Sequence, residues 1–107
     1  MSDGILYFDH EKIELTIFSR GATGKVVWEK ARKDASIDFA EITQKLSDTD
    51  ELILMGESKL NLEFRRWLLE HNRRIARKLI AMLPGRKLTS DLIDAYRIKY
   101  FESASTH

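Results

Sequence analysis

The stretch ELILMGESKLNLEFRRWLLEHNRRIARK, residues 51–78, constrains the fold more than any other part of the chain. Leu52-Ile53-Leu54-Met55 has no polar residue on either face, so as a strand it must be covered on both sides and belongs near the centre of a sheet. The run ends in Gly56, and beyond Ser58 the apolar period changes from two to 3.6. Leu60, Phe64, Trp67, Leu68 and His71 fall on one helical stripe, with Lys59, Arg66, Arg73 and Arg77 gathered opposite. The period can carry one helix as far as Leu83, before Pro84-Gly85. Equally, Asn72 can cap a new short helix and leave Leu79–Leu83 as a strand.

The flanking segments supply the rest of a sheet. Ile5–Phe8 reads as a buried strand, DHEK as a tight turn, and Ile13–Phe18 as a second strand paired antiparallel to the first. SRGATGK reads as a loop, since its two glycines can take positive φ, and VVWEK from Val26 is the third strand. Ser36 is a cap candidate for a helix carrying Ile37, Phe39, Ala40, Ile42 and Leu46, with Asp38 and Glu41 where the helix dipole favours acids. Thr89 or Ser90 can start a last helix that stacks Leu92, Tyr96 and Tyr100. No repeat, low-complexity segment or linker divides residues 1–107, so they read as a single domain with a frayed tail from about residue 103.

Composition narrows the class of function. The chain has no cysteine, which removes disulfides and thiolate metal sites, and its early acids do not fit a secretory leader. No apolar run approaches the ~20 residues of a membrane span. A cytoplasmic domain with no membrane partner is the expectation. The net charge of +1 conceals a polarity: residues 59–87 hold nine Lys/Arg against two acids, and the remainder holds nine against fifteen. A solvated helix face and a face for a polyanion both fit that pattern.

Three segments, GILYFDHEKIELTIF, ELILMGESKLNLEFRRWLLEH and LTSDLIDAYRIKYF, together resemble the central domain of eukaryotic and archaeal class 1 peptide-chain release factors. They are similar also to pelota-type ribosome-rescue factors and to small stand-alone bacterial relatives. The matching residues are Gly56 after the apolar strand, Lys59-Leu60 with Phe64 in the helix that follows, and Tyr100-Phe101 near the end. The resemblance implies an α/β, ribonuclease H-like fold of order βββαβαβα, with a mixed five-stranded sheet and helices packed against it. It favours the break at Asn72 and a fifth strand at Leu79–Leu83. In release factors a Gly-Gly-Gln tip lies between the third strand and the first helix; the corresponding segment here, EKARKDAS, has neither glycine nor glutamine. The release chemistry therefore does not carry over.

Asp9 ends the first strand, where ribonuclease H-like enzymes place a metal-binding carboxylate, and Glu14, Glu41 and Asp48 are its only conceivable partners. An aspartate beginning a hairpin turn is the commoner explanation of Asp9. His10, His71 and His107 lack a second ligand at metal spacing, so neither a metal nor another cofactor is expected, and no catalytic residue is assigned. Gly56 and Ser58 mark a strand-to-helix junction able to hold an anion, although Ser58 also serves as a plain cap. Leu62 and Leu69 lie off the main stripe, beside Arg65, as candidate contacts for a partner or a second copy, with packing against the C-terminal helix an equal alternative.

The reading is a non-catalytic, translation-associated protein that binds the ribosome, rRNA or tRNA through Lys59, Arg66, Arg73, Arg74, Arg77 and Lys78. A protein-interaction module or homodimer using Leu62 and Leu69, and a degenerate hydrolase centred on Asp9, stand beside it.

Overall fold

A computed structural model gives the architecture, and its described residues are 2–19, 25–32, 37–84, 95, 98 and 99. The elements in chain order are β1 (Ser2–Phe8), β2 (Lys12–Ser19), β3 (Lys25–Ala31), α1 (Phe39–Lys45), β4 (Glu51–Gly56), α2 (Ser58–His71), α3 (Arg73–Ala76) and β5 (Leu79–Pro84). The expected last helix, with Thr89, Ser90, Leu92, Tyr96 and Tyr100, lies almost wholly outside the described residues, as do Gly21, Gly24, Ser36 and His107.

One mixed five-stranded sheet runs in the order β3-β2-β1-β4-β5. β1–β2 and β2–β3 are antiparallel, and β1–β4 and β4–β5 are parallel. The doubly apolar run finds the place that its composition demands: Leu52, Ile53, Leu54 and Met55 are all buried, between two neighbouring strands. Their side chains alternate between two cores. Leu6, Phe8, Leu52 and Leu54 pack with Ile42 of α1 and Leu60, Phe64 and Leu68 of α2, whereas Ile5, Tyr7, Ile53 and Met55 form a second cluster. The fold class is thus the one the sequence predicts.

The helices begin and end for reasons of local chemistry. α1 starts at Phe39 because the Asp38 carboxylate accepts from the Glu41 N–H at 3.1 Å; the cap is Asp38 and not the more distant Ser36. Asn72 (φ −153°, ψ 79°) leaves the helical region, ends α2 and caps α3 by accepting from the Ile75 N–H at 3.2 Å. The chain can then return along β5, so the short helix followed by a strand is the alternative realised. An aromatic row ties α1 and α2 to the sheet: Phe8 and Phe64 meet edge to face at 5.6 Å, Phe39 lies 5.2 Å from Phe64, and Trp67 lies 6.0 Å from Phe39.

Gly56 is the one described residue with positive φ, at 101°. A Cβ there would come within 2.0 Å of the Phe8 carbonyl oxygen, and the adjacent Glu57 N–H donates to that same oxygen at 2.9 Å. The glycine lets the ends of β1 and β4 close on each other while the chain turns into α2.

Candidate nucleic-acid interface

The basic surface is built on α2 and α3. The 3.6-residue period sinks Leu60, Phe64 and Leu68 into the core, which turns Lys59, Arg65 and Arg66 outward. Beyond the Asn72 break, Ile75 anchors α3 beneath, so Arg73, Arg74 and Arg77 are also exposed. None of these six cations makes an ion pair among the described residues. By contrast Lys12 and Lys30 are matched to Glu14 at 3.3 Å and to Glu41 at 2.6 Å, and each partner raises its lysine's pKa by hydrogen bonding to the charged form. The two paired lysines lie on β2 and β3; six exposed cations without an ion pair among the described residues cluster on α2 and α3, and Lys25 on β3 and Lys45 at the end of α1 stand singly elsewhere.

The structure brings the expected residues together with two differences. A single helical face does not carry Arg66, Arg73 and Arg77, since Asn72 breaks the phase between α2 and α3. Arg73 folds back instead: its Nε donates to the Leu69 carbonyl at 3.2 Å, returning the guanidinium to the last turn of α2. Lys78 is half-buried, and its Nζ donates to the Ser47 carbonyl at 3.1 Å, just beyond α1. Its charge serves the carbonyl end of α1 as much as any partner. Arg65 joins the exposed set as an addition to the residues the sequence singles out, and its place three residues after Leu62, off the buried stripe, is the signal for it.

The Gly56–Ser58 junction has a different construction from the one expected. Glu57 occupies the cap position of α2 without a side-chain hydrogen bond, and Ser58 is the first helical residue, exposed. Gly56 itself is buried, with its conformation explained by the approach to Phe8.

Asp9 is tied into the β1–β2 turn. Its Oδ1 accepts from the N–H groups of Glu11 and Lys12, both at 2.7 Å, while its carbonyl accepts from Arg32 Nη1 at 2.8 Å. Burial pushes its carboxyl up, but these two N–H donors and the Tyr7 hydroxyl outweigh that and hold it below the usual carboxylate range. Tyr7, buried and donating to Asp9, is in turn pushed up to about 12, chiefly by burial. The other carboxylates do not gather here. Glu14 faces Lys12, and Glu41 faces Lys30. Asp48 sits at the opposite end of β1, where its carbonyl accepts from the Ser2 hydroxyl at 3.1 Å. Seven strand residues separate the ends by about 20 Å, too far for shared metal coordination. Among the described residues no three His, Asp or Glu side chains converge. His71 stacks on Trp67 at 4.8 Å and is half-exposed, and His10 is exposed in the turn. Among the described residues, no helix is long and apolar enough to cross a membrane.

An open groove of about 590 Å³ lies between β3 and α1, floored by Ile13, Trp28, Ile37 and Ile42. The Lys30–Glu41 ion pair joins its walls.

The sheet order and the crossover from β4 through α2 and α3 to β5 define a ribonuclease H-like α/β domain. No protein-family description matches the chain, and no curated protein matches it in sequence. Its fold is similar to part of Pelota from Archaeoglobus fulgidus, with a TM-score of 0.76 at 15% identity over 98% of this chain and 33% of that one. Pelota from Thermoplasma acidophilum is similar too, with a TM-score of 0.68 at 14% identity over 98% of this chain and 34% of that one. The chain therefore spans about a third of the length of these proteins. At such identities the likeness is one of fold.

Proposed function

We propose that this chain is a translation-associated domain that binds ribosomal RNA or tRNA, on the ribosome or free of it, as a counterpart of the central domain of pelota-type and release factors. The observation that carries the reading is the cluster of six exposed cations on α2 and α3, none with an acidic partner among the described residues, whereas Lys12 and Lys30 are paired. Unpaired arginines on a convex helical surface suit phosphate contacts, because each guanidinium offers a planar fork of donors. The fold shared with Pelota supports the choice of RNA over other polyanions. The absence of a Gly-Gly-Gln segment in residues 29–36 supports association without peptide release.

The direct test is cosedimentation with ribosomes at low salt, comparing wild type with the triple variant Arg66→Glu, Arg73→Glu, Arg77→Glu. Wild type should pellet with ribosomes in preference to heparin-coated beads, and the triple variant should remain in the supernatant. Equal recovery of the two proteins with ribosomes would sink the proposal.

A further inference from the structure

Leu62 and Leu69 remain 54% and 41% exposed on α2, although the same helix buries its other leucines almost completely. At about 100° per residue, seven positions bring the two within about 20° of one line along the helix, about 10 Å apart. Their immediate neighbours around the helix are cations on both sides. Relative to Leu62, Arg65 stands about 60° to one side, and Arg66 and Lys59 about 40° and 60° to the other, whereas Glu63 and Glu70 lie further round. Arg73, hydrogen-bonded to the Leu69 carbonyl, adds a charge at the end of the strip. The result is two apolar seats with a pair of arginines between them.

That arrangement discriminates among occupants. A phosphate backbone would match the arginines and leave both leucines uncovered. A second copy is worse: in a two-fold pairing through this face, whether the helices run parallel or antiparallel, Arg65 and Arg66 of both copies converge at the centre, and like charges juxtaposed there cost affinity. A helix with apolar residues seven apart and acids at the third and fourth positions between them satisfies every group at once. We propose that α2 docks an acidic amphipathic helix of a partner protein, with Leu62 and Leu69 receiving its apolar residues and Arg65 and Arg66 its carboxylates. This surface shares Arg66 and Lys59 with the RNA reading, whereas Leu62 and Leu69 belong to the protein partner alone, so the leucine variant separates the two.

The probe is a synthetic helical peptide with Leu-x-x-Glu-Glu-x-x-Leu at its centre, titrated into the whole chain with leucine-methyl NMR and fluorescence anisotropy as readouts. The methyls of Leu62 and Leu69 should shift, and the variant Leu62→Ser, Leu69→Ser should bind about tenfold more weakly or less, since two apolar burials are lost. Retained chemical-shift dispersion elsewhere shows that this variant is folded. A peptide with lysines in place of the two glutamates should not bind. Equal binding of the acidic and basic peptides, or methyl signals unmoved by the acidic one, would overturn the proposal. So would sedimentation of wild type as a dimer that the leucine variant abolishes, or single-stranded RNA whose binding the leucine variant weakens as much as it weakens the peptide's.

Discussion

Gly56 is the residue at which the chain tolerates least change. A methyl group there would need both a positive φ that L residues avoid and space already held by the Phe8 backbone, which cannot swing away as a side chain can. Gly56→Ala should therefore cost about 3 kcal/mol or more in denaturant unfolding. Gly4 is the control, because a Cβ there would meet the Thr49 methyl at 3.2 Å, a side-chain contact that can yield. At Asp9 and Tyr7 the sign of the pH dependence follows from the shifts. The Asp9 carboxyl lies below its ordinary 3.8, so its contribution is complete above that value and disappears as pH falls through the lower one. Tyr7 lies above its ordinary 10.0, so its contribution is complete below pH 10 and disappears as pH rises towards about 12. Unfolding free energies measured across both ranges should decline at each end. Tyr7→Phe should remove its share of the alkaline decline and make the acid decline smaller, ending at a higher pH, since Asp9 loses a donor. Asp9→Asn, read as loss of a turn, should lower stability with or without divalent metal.

At the scale of elements, the informative boundary is Asn72. Its carboxamide caps α3, and Asn72→Ala should cost about 1 kcal/mol while changing helix content little. Much of this level was legible in the sequence. The doubly apolar run had to be central, the DHEK turn had to join an antiparallel pair, and Asn72 was one of two possible breaks, the second being continuation to Pro84. Caps were harder to read, because Ser36, Asp38, Glu57 and Ser58 are all plausible starts and the choice depends on where each chain leaves the sheet. Ile80 shows a similar limit: it stands in an irregularity between Leu79 and Ala81, and alternation alone cannot reveal one extra residue in an edge strand. The site was legible in composition and less so in arrangement. Period alone put Arg66, Arg73 and Arg77 on one line, and only the break shows that Arg73 folds back and that Lys78 turns towards Ser47. Lys78→Ala should consequently lower stability measurably and affect RNA affinity less than Arg74→Ala, as paired denaturation and filter-binding curves can show.

Across the whole molecule, a net charge of +1 is distributed so that attraction and solubility do not compete. The acids lie mostly outside residues 59–87, and Lys12 and Lys30 of the β2–β3 side already have partners, so an approaching phosphate chain meets its densest cluster of positive charge on α2 and α3. Binding of that kind has a signature beyond affinity. Each cation that displaces a condensed counterion from a single strand steepens the dependence of log affinity on log salt by about 0.7. Reversing Arg66, Arg73 and Arg77 should flatten the slope by about two units with a single-stranded RNA probe, and reversing Lys30 on the opposite side should leave it unchanged. The free energy of unfolding of the triple variant should stay within about 1.5 kcal/mol of wild type, because each substitution is at the surface. Slopes that agree between wild type and the triple variant would mean that these arginines meet only solvent. A slope flattened as much by the Lys30 reversal would mean that the molecule responds to total charge rather than to a surface on α2 and α3.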